Sequence, residues 1–355
     1  MKDPTVANLP HQHPQNGSVS SSVKQSPFVS VVIPCYNEEK FILRVLKTLA
    51  SQYDSSKYEI FIVDGGSTDS TRDIVEDFVR NHPTLSVRLL ANPKRDIPAA
   101  LNIGIAAARG DIIVRMDAHS LPSHNYVREC VSELEAGEAA IVGMPWHIKP
   151  GADSHIGSAI ALAVSSSFGA GDARYRLATN SRRFVDTVPF GAFRKRLWEE
   201  LGGFNEGLLT NEDYDFNYRA RRSGGQIVLS PRAHTDYFAR STLLGLAGQY
   251  CRYGMWKARM LKLNPSSIKI RQIIPPLFVV TIVGLLALGV LSTAFLWLLL
   301  IVISFYLLTA LFFASRIAVR EKRLMLILSL PLVFLVIHVC WGASLIVGLF
   351  RSGRT

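Results

Sequence analysis

Asp64, Asp117, His119 and Asp213 are the residues of this chain best suited to chemistry, and each stands in a short polar stretch. Asp64-Gly-Gly-Ser-Thr-Asp69 follows an apolar run. Its glycines let the backbone approach a ligand, and Asp64 can accept hydrogen bonds from a base or a ribose. The same residues would also make an ordinary strand-to-helix turn with Asp and Ser as caps. In Asp117-Ala-His119 the two side chains, two residues apart across an extended turn, can point to one side. A carboxylate with an imidazole suits Mn²⁺, and such a metal neutralises a leaving diphosphate; the alternative is a satisfied turn with a surface histidine. In Asn211-Glu212-Asp213 a carboxylate before a helix can act as general base on a hydroxyl. The helix N-terminus favours its ionised form, while Glu212, Asp215 and any diphosphate oppose it. Plain N-terminal capping by acids would look the same. Gln249-Tyr-Cys-Arg252-Tyr253, continuing to Trp256, offers a guanidinium for a phosphate and rings to stack on a sugar face. It could equally be an aromatic and basic belt at a membrane surface.

The elements that must position these residues follow from the apolar pattern. Phe28–Pro34, Tyr58–Asp64, Val87–Ala91 and Ile112–Asp117 are short β-branched runs that predict buried strands. Between them, helices are expected over Glu38–Ser51, Ser70–Arg80 and Ile97–Ala108. Strands alternating with helices mean a parallel sheet, whose ligands sit beyond the carboxyl ends of the strands. That rule singles out Tyr36–Glu39, Gly65–Asp69 and Ala118–Ser120. Past Met144 the pattern loosens. His155–Phe168 reads as an apolar helix, core rather than interfacial, and Gly169–Arg183 reads as a loop. Helices are expected over Arg194–Leu201, capped by Gly202 and Gly203, and over Tyr214–Arg222, capped by Gly224 and Gly225.

The 355 residues carry a formal charge of +11. Their distribution points to a membrane and away from nucleic acid. No Asp, Glu, Lys or Arg occurs from Ile273 to Ser315 or from Leu324 to Phe350. A spanning helix needs roughly 20 apolar residues. The first stretch therefore accommodates two spans, linked near Ser292–Ala294, and the second holds one long span or an element kinked at Pro331. Arg240, Arg252, Lys257, Arg259, Lys262, Lys269 and Arg271 precede them with no acid between Tyr237 and Gln272. Arg316, Arg320, Lys322 and Arg323 outweigh Glu321 in the next loop. Both basic segments favour the cytoplasmic side and anionic lipid. Arg351 and Arg354 leave the side reached by the last segment open. Cys35, Cys130, Cys251 and Cys340 form no Cys-x-x-Cys pair, so reduced thiols are expected rather than disulfides or zinc. Met1 to about Pro27, with His11 and His13, lacks an apolar signal segment and is expected to be a disordered tail.

Taken in order, the motifs resemble the family-2 inverting glycosyltransferases of the GT-A fold. Pro34-Cys-Tyr-Asn-Glu-Glu39 matches the family's opening motif, Val63-Asp64-Gly-Gly-Ser-Thr-Asp69 its nucleotide-binding Asp motif, and Ala100-Leu-Asn102 with Gly104 the helix before its metal motif. Asp117-Ala-His119 stands where the family has Asp-x-Asp, Asn211-Glu-Asp213 where it has Thr-Glu-Asp, and Gln249-x-x-Arg252-Tyr253 where it has Gln-x-x-Arg-Trp. The branch it is most like is the membrane-bound exopolysaccharide (succinoglycan-type) enzymes. The resemblance implies an α/β, Rossmann-like and mostly parallel GT-A domain over 28–254, with a nucleotide-binding half (28–145) and an acceptor half (146–254). A tail (1–27) precedes it; a basic interfacial segment (255–272) and a transmembrane region of about three spans (273–350) follow.

It further implies a nucleotide-sugar donor, a glycan or lipid-linked acceptor, Mn²⁺ or Mg²⁺, membrane lipids as partners and no nucleic acid. The chain would be multi-pass in the plasma (inner) membrane with its catalytic domain in the cytoplasm. By the same resemblance Asp213 is the base, and Asp117 with His119 holds the metal on the diphosphate. Pro34, Tyr36, Glu38, Asp64 and Asn102 serve the nucleotide. Glu212, Gln249, Arg252 and Tyr253 serve the diphosphate or acceptor, with Pro189, Phe190 and Gly191 lining the acceptor side. Three departures stand out: His119 for Asp removes a negative charge, Asn211 for Thr leaves the base intact, and Tyr253 for Trp shrinks a stacking platform. A processive polysaccharide synthase is one alternative, though about three spans are few for a polymer channel. A nucleotidyltransferase would carry a Gly-rich Lys/Arg loop where this chain has Cys35-Tyr36-Asn37. A non-catalytic membrane subunit would not need Asp64, Asp117 and Asp213 intact.

Overall fold

The computed structural model describes residues 27–351. Of the expected tail over 1–27, all but Pro27 lies outside the described residues, as does Arg354. In chain order the elements are β1 (Val29–Cys35), α1 (Ile42–Leu49), β2 (Tyr58–Asp64), α2 (Thr71–Asn81), β3 (Ser86–Ala91), α3 (Ile97–Ala107), β4 (Ile112–Arg115), β5 (Ser120–Pro122), α4 (Tyr126–Glu135), β6 (Ile141–Gly143) and β7 (Trp146–Lys149). There follow α5 (His155–Val164), α6 (Ser167–Ala170), β8 (Arg183–Phe184), β9 (Ala192–Arg194), α7 (Lys195–Glu200), α8 (Glu212–Arg222), β10 (Ile227–Leu229), β11 (Thr235–Phe238), α9 (Leu243–Leu263), α10 (Ile270–Leu288), α11 (Thr293–Arg320) and α12 (Leu326–Phe350).

An eight-stranded sheet runs β3-β2-β1-β4-β9-β6-β10-β8, and a three-stranded sheet runs β5-β11-β7. β1, β2, β3 and β4 pair in parallel, as the alternating pattern predicts. Such strands are covered on both faces and so read as continuous apolar runs. Val29, Val31 and Ile33 pack with Ile42, Val45 and Leu46 of α1 and Val75 and Phe78 of α2. Val32 turns the other way, toward Ala100, Leu101 and Ile105 of α3. Gly104 permits that approach, because a Cβ there would overlap the Val32 side chain. β9 then enters antiparallel to both β4 and β6, which the local pattern does not reveal.

Several boundaries differ from the sequence expectation. α1 begins at Ile42, not Glu38. The preceding loop is tied instead to the next one: Glu38 N donates to Thr71 Oγ1 at 2.8 Å and Glu39 N to Asp69 Oδ2 at 3.2 Å. α8 begins at Glu212, not Tyr214, which puts both acids in its first turn. β4 stops at Arg115, so Asp117 and His119 lie in the turn to β5.

Among the described residues three helices, α10, α11 and α12, are long and apolar enough to cross a membrane. α12 continues through Pro331 as one helix. α9 runs without a break through position 254, where the catalytic domain was expected to end. It packs along α12 through small residues: a Cβ on Gly254 would overlap Ser344 Oγ, and one on Gly348 would meet Ala258 Cβ at 2.6 Å. α5 is core, as expected, but its core is shared with α9, α11 and α12. Two members of the basic run do not face lipid. Lys257 is buried, donates to Ser267 O at 3.1 Å and lies 4.0 Å from the Tyr214 ring centroid. Burial, with Arg271 nearby, pushes its ammonium down to about 7. Arg271 itself pairs with Asp172 and, at 2.7 Å, with Asp186.

Candidate active site

The carboxyl end of β4 and the first turn of α8 meet at Arg115. Its guanidinium lies 2.7 Å from Glu212 Oε1 and 3.4 Å from Asp117 Oδ1, and both Arg115 and Glu212 are buried. Arg115 Nε and Nη1 have no hydrogen-bond partner among the described residues. A cation buried among three acids balances charges that would otherwise repel one another. Burial raises the Glu212 carboxyl and Arg115 pulls it back; Asp213 is raised by the same burial, again opposed by Arg115. Asp213 Oδ1 accepts from Tyr214 N at 2.7 Å. Asn211, at the helix start, is left-handed (φ 68°), a conformation that Asn tolerates better than most side chains. Its Nδ2 donates to Tyr253 O at 3.4 Å, linking α8 to α9.

His119 Nδ1 donates to Glu38 Oε1 at 2.8 Å. Burial opposes a charged imidazole, but the Glu38 hydrogen bond and the Asp117 charge lift it above its ordinary value. A carboxylate on one ring nitrogen is how metal-binding histidines are oriented, and it leaves Nε2 as the ligand atom. Asp117 and His119 thus present a carboxylate and an imidazole nitrogen that would suit a divalent metal as protein ligands. A separate group lies on the small sheet. His147, His234 and Asp236 offer ligand atoms within 4.8 Å of one another, and the two imidazoles stack at 3.9 Å. None of the three lines the cavity described next.

Asp117, His119, Glu212 and Asp213 open into a cavity of about 940 Å³. Gln249, Arg252 and Tyr253 line it, as do Pro189 and Phe190. Gln249 Nε2 donates to Tyr237 OH at 3.1 Å and Tyr253 OH at 3.0 Å, which fixes two rings of the wall. Gly191 is not in the lining; it lets the chain pass β6, since a Cβ would meet Ile141 Cγ2 at 2.8 Å. The cavity continues to Phe278, Phe305, Tyr306, Phe313, His338 and Trp341 of α10, α11 and α12.

Of the expected nucleotide residues, Pro34, Tyr36 and Asp64 gather at the carboxyl ends of β1 and β2, outside that lining, and Glu38 touches it through His119. Pro34 pairs with Val63, and Tyr36 is half exposed beside Gly65. Asp64 is buried and accepts from Gly66 N at 3.2 Å and Ser67 Oγ at 2.6 Å, so it shapes the turn. Asn102 does not join this group. Its amide donates to Phe204 O at 2.9 Å and Glu206 Oε1 at 2.9 Å and accepts from Trp198 Nε1 at 3.1 Å and Phe204 N at 2.8 Å. With both donors and the oxygen engaged, it braces α3 against the segment before α8 and has nothing left for a nucleotide.

Two arginines of the cavity lining, Arg115 and Arg176, were not singled out from the sequence. The signal for Arg115 was available: a lone charge inside the apolar run Ile112–Met116. Arg176, in the Gly/Arg-rich loop, carries no such local mark.

A family model described as "Glycosyl transferase family 2" matches residues 30–202. That span holds Asp64, Asp117 and His119 and stops short of Asp213, Gln249 and Arg252. The chain is 25% identical over 333 residues to a dolichyl N-acetyl-alpha-D-glucosaminyl phosphate 3-beta-D-2,3-diacetamido-2,3-dideoxy-beta-D-glucuronosyltransferase of Methanococcus voltae, covering 92% of this chain and 99% of that protein. It is 28% identical over 261 residues to the succinoglycan biosynthesis protein ExoA of Rhizobium meliloti, covering 72% and 77%. Among solved structures, the mannosyltransferase PcManGT of Pyrobaculum calidifontis, in complex with GDP-Man and Mn²⁺, superposes with a TM-score of 0.57 at 20% identity over 90% of this chain and 88% of that one. The chain carries a glycosyltransferase family 2 domain over residues 30–202, in a GT-A-type α/β fold followed, among the described residues, by three apolar helices that could span a membrane.

Proposed function

We propose that the protein transfers a sugar from a UDP- or GDP-sugar, with inversion, to a hydroxyl of a lipid-phosphate-linked glycan in exopolysaccharide assembly. The observation that carries this reading is the single cavity running from Asp213, Asp117 and His119 to aromatic residues of α10, α11 and α12. A water-soluble acceptor needs no passage between apolar helices; a polyprenyl-type chain does. The relative from Methanococcus voltae, by its name a dolichyl-phosphate-linked sugar glycosyltransferase, supports the same acceptor class.

In this mechanism Asp213 takes the proton of the acceptor hydroxyl as that oxygen bonds to the anomeric carbon. The bond to the nucleoside diphosphate breaks on the opposite side, so the configuration inverts. Burial keeps Asp213 basic for a carboxylate, and the Arg115–Glu212 pair holds it against the end of β4. Asp117 and His119 would hold Mn²⁺ or Mg²⁺, which supplies charge stabilisation to the departing diphosphate. Pro34, Tyr36, Glu38 and Asp64 would frame the nucleotide, Glu38 doing so through His119. The basic residues over Arg240–Arg271, apart from buried Lys257 and paired Arg271, and over Arg316–Arg323 favour a cytoplasmic catalytic domain on the plasma (inner) membrane.

The test is nucleoside diphosphate release by the full chain, screened over UDP- and GDP-sugars with Mn²⁺ or Mg²⁺ and membrane lipid extract. Metal-dependent release stimulated by the lipid fraction is expected. Equal turnover on a free sugar and its lipid-linked form would reject the acceptor class, and pyrophosphate release would reject the reaction.

A further inference from the structure

Arg176 lies in the cavity wall and has no carboxylate partner among the described residues. Its Nε donates to Tyr175 OH and its Nη1 to Tyr250 OH, both at a long 3.3 Å. The guanidinium carbon stands 5.4 Å from the Trp146 ring centroid and 5.5 Å from that of Tyr175. Trp146 is stacked at 4.1 Å on Tyr237, and Tyr250 meets Tyr253 edge-on at 5.8 Å. A half-buried cation flanked by aromatic rings and two phenols in a cavity wall loses part of its water without a compensating charge among the described residues. Such a group is unfavourable in the empty fold unless an anion completes it. Arg115, by contrast, is matched by Glu212 and Asp117, and Arg240 and Arg252 are exposed to solvent.

The chain that carries Arg176 starts on the membrane helices. Phe168 of α6 stacks on Phe313 at 5.0 Å, packs edge-on to Phe334 at 4.9 Å, and its carbonyl accepts from His338 Nε2 at 2.9 Å. Ser167 to Gly171, Ala173 and Tyr175 line the cavity between those helices and Arg176. The guanidinium therefore faces the space through which a lipid chain would reach the acids. We propose that Arg176 is the anion anchor of the acceptor, taking the phosphoryl group of a lipid phosphate or diphosphate whose hydrocarbon lies among α10, α11 and α12. This rests on the lipid-linked reading above. A planar fork of donors is suited to two phosphoryl oxygens at once. The donor's own diphosphate already has the Asp117–His119 site, which is why the acceptor is the better occupant.

The experiment uses the full chain in phosphatidylcholine nanodiscs, with geranylgeranyl diphosphate and geranylgeraniol as probes, with and without saturating UDP or GDP and Mn²⁺. Wild type should bind the diphosphate at least about tenfold more tightly than the alcohol, the worth of a charge-assisted pair. Nucleotide should leave that preference in place. Arg176→Gln should lose it without changing affinity for the alcohol, and Arg176→Lys, which keeps the charge but not the fork, should retain part of it. A preference that survives in Arg176→Gln overturns the assignment while leaving the lipid-linked reading intact. Displacement of the probe by nucleotide, with weaker nucleotide binding in Arg176→Gln, would move Arg176 to the donor diphosphate. Failure of wild type to bind either probe would instead reject the lipid-linked reading itself. If Arg176→Gln does not fold, the Arg176→Lys preference decides: a wild-type ratio overturns the assignment.

Discussion

Replacing Arg115 by Met removes the cation that holds Asp117, Glu212 and Asp213 together. Arg115 and Glu212 are 5% and 4% exposed and 2.7 Å apart, so solvent screens their interaction little. Deleting one partner of a buried pair costs about 3–5 kcal/mol, because the other charge stays desolvated. At about 2–4 °C per kcal/mol for a domain of this size, that is a fall in Tm of roughly 6–20 °C. The sign with pH follows from Glu212. Its folded value lies above the unfolded one, so the folded state holds the extra proton, and stability from this group is full at low pH and falls as pH rises. Without Arg115 the carboxyl rises further, and the loss should be larger at pH 8 than at pH 6. Thermal unfolding of the full chain in detergent, followed by tryptophan emission at both pH values, measures it. Arg115→Met combined with Glu212→Leu should recover much of the loss, since apolar groups can replace a buried pair. An Arg115→Met variant that melts within about 2 °C of wild type at both pH values would refute the reasoning, as would a double variant no better than the single.

Three further outcomes are expected. Because burial raises Asp213, kcat/KM should fall with acid around a value above the ordinary carboxylate value of about 3.9, and Asp213→Asn should lose about 10²–10⁴ in turnover while donor binding in equilibrium dialysis is kept. Glu38→Gln should weaken the metal requirement's midpoint by about 10–100-fold in a Mn²⁺ titration, through loss of the orienting carboxylate on His119, whereas His234→Ala should not shift it. Gly254→Leu should pry α9 from α12 and destabilise the protein by about 1–3 kcal/mol in detergent melts, while Gly284→Leu, whose Cβ would meet nothing within 4 Å among the described residues, should be near neutral.

Much of the parallel part of the large sheet was legible because its physics is local. Val29–Cys35 and Tyr58–Asp64 are strands buried on both faces, so their apolar runs announce them and place Asp64 and the Tyr36–Glu39 loop at their ends. The three apolar helices were legible for the same reason, since hydrocarbon forbids charge along roughly 20 consecutive residues. The start of α8 was harder: Asn211 in a left-handed conformation begins the helix two residues early, and no propensity signals that turn.

What the tertiary structure alone decided depends on partners far apart in the chain. That Glu38 also orients His119, 81 positions away, is visible only in the fold. Asn102 reads as a motif residue until its amide is found bracing the segment at Phe204 and Glu206. Lys257 reads as a lipid-facing cation until α9 turns it inward onto Ser267. Arg115 and Arg176 are both arginines in the same cavity wall, yet among the described residues one is paired with acids and the other is not. Periodicity reports which face of an element is buried; it carries no information on which charge the fold brings opposite, and that pairing is what distinguishes a brace from a binding group.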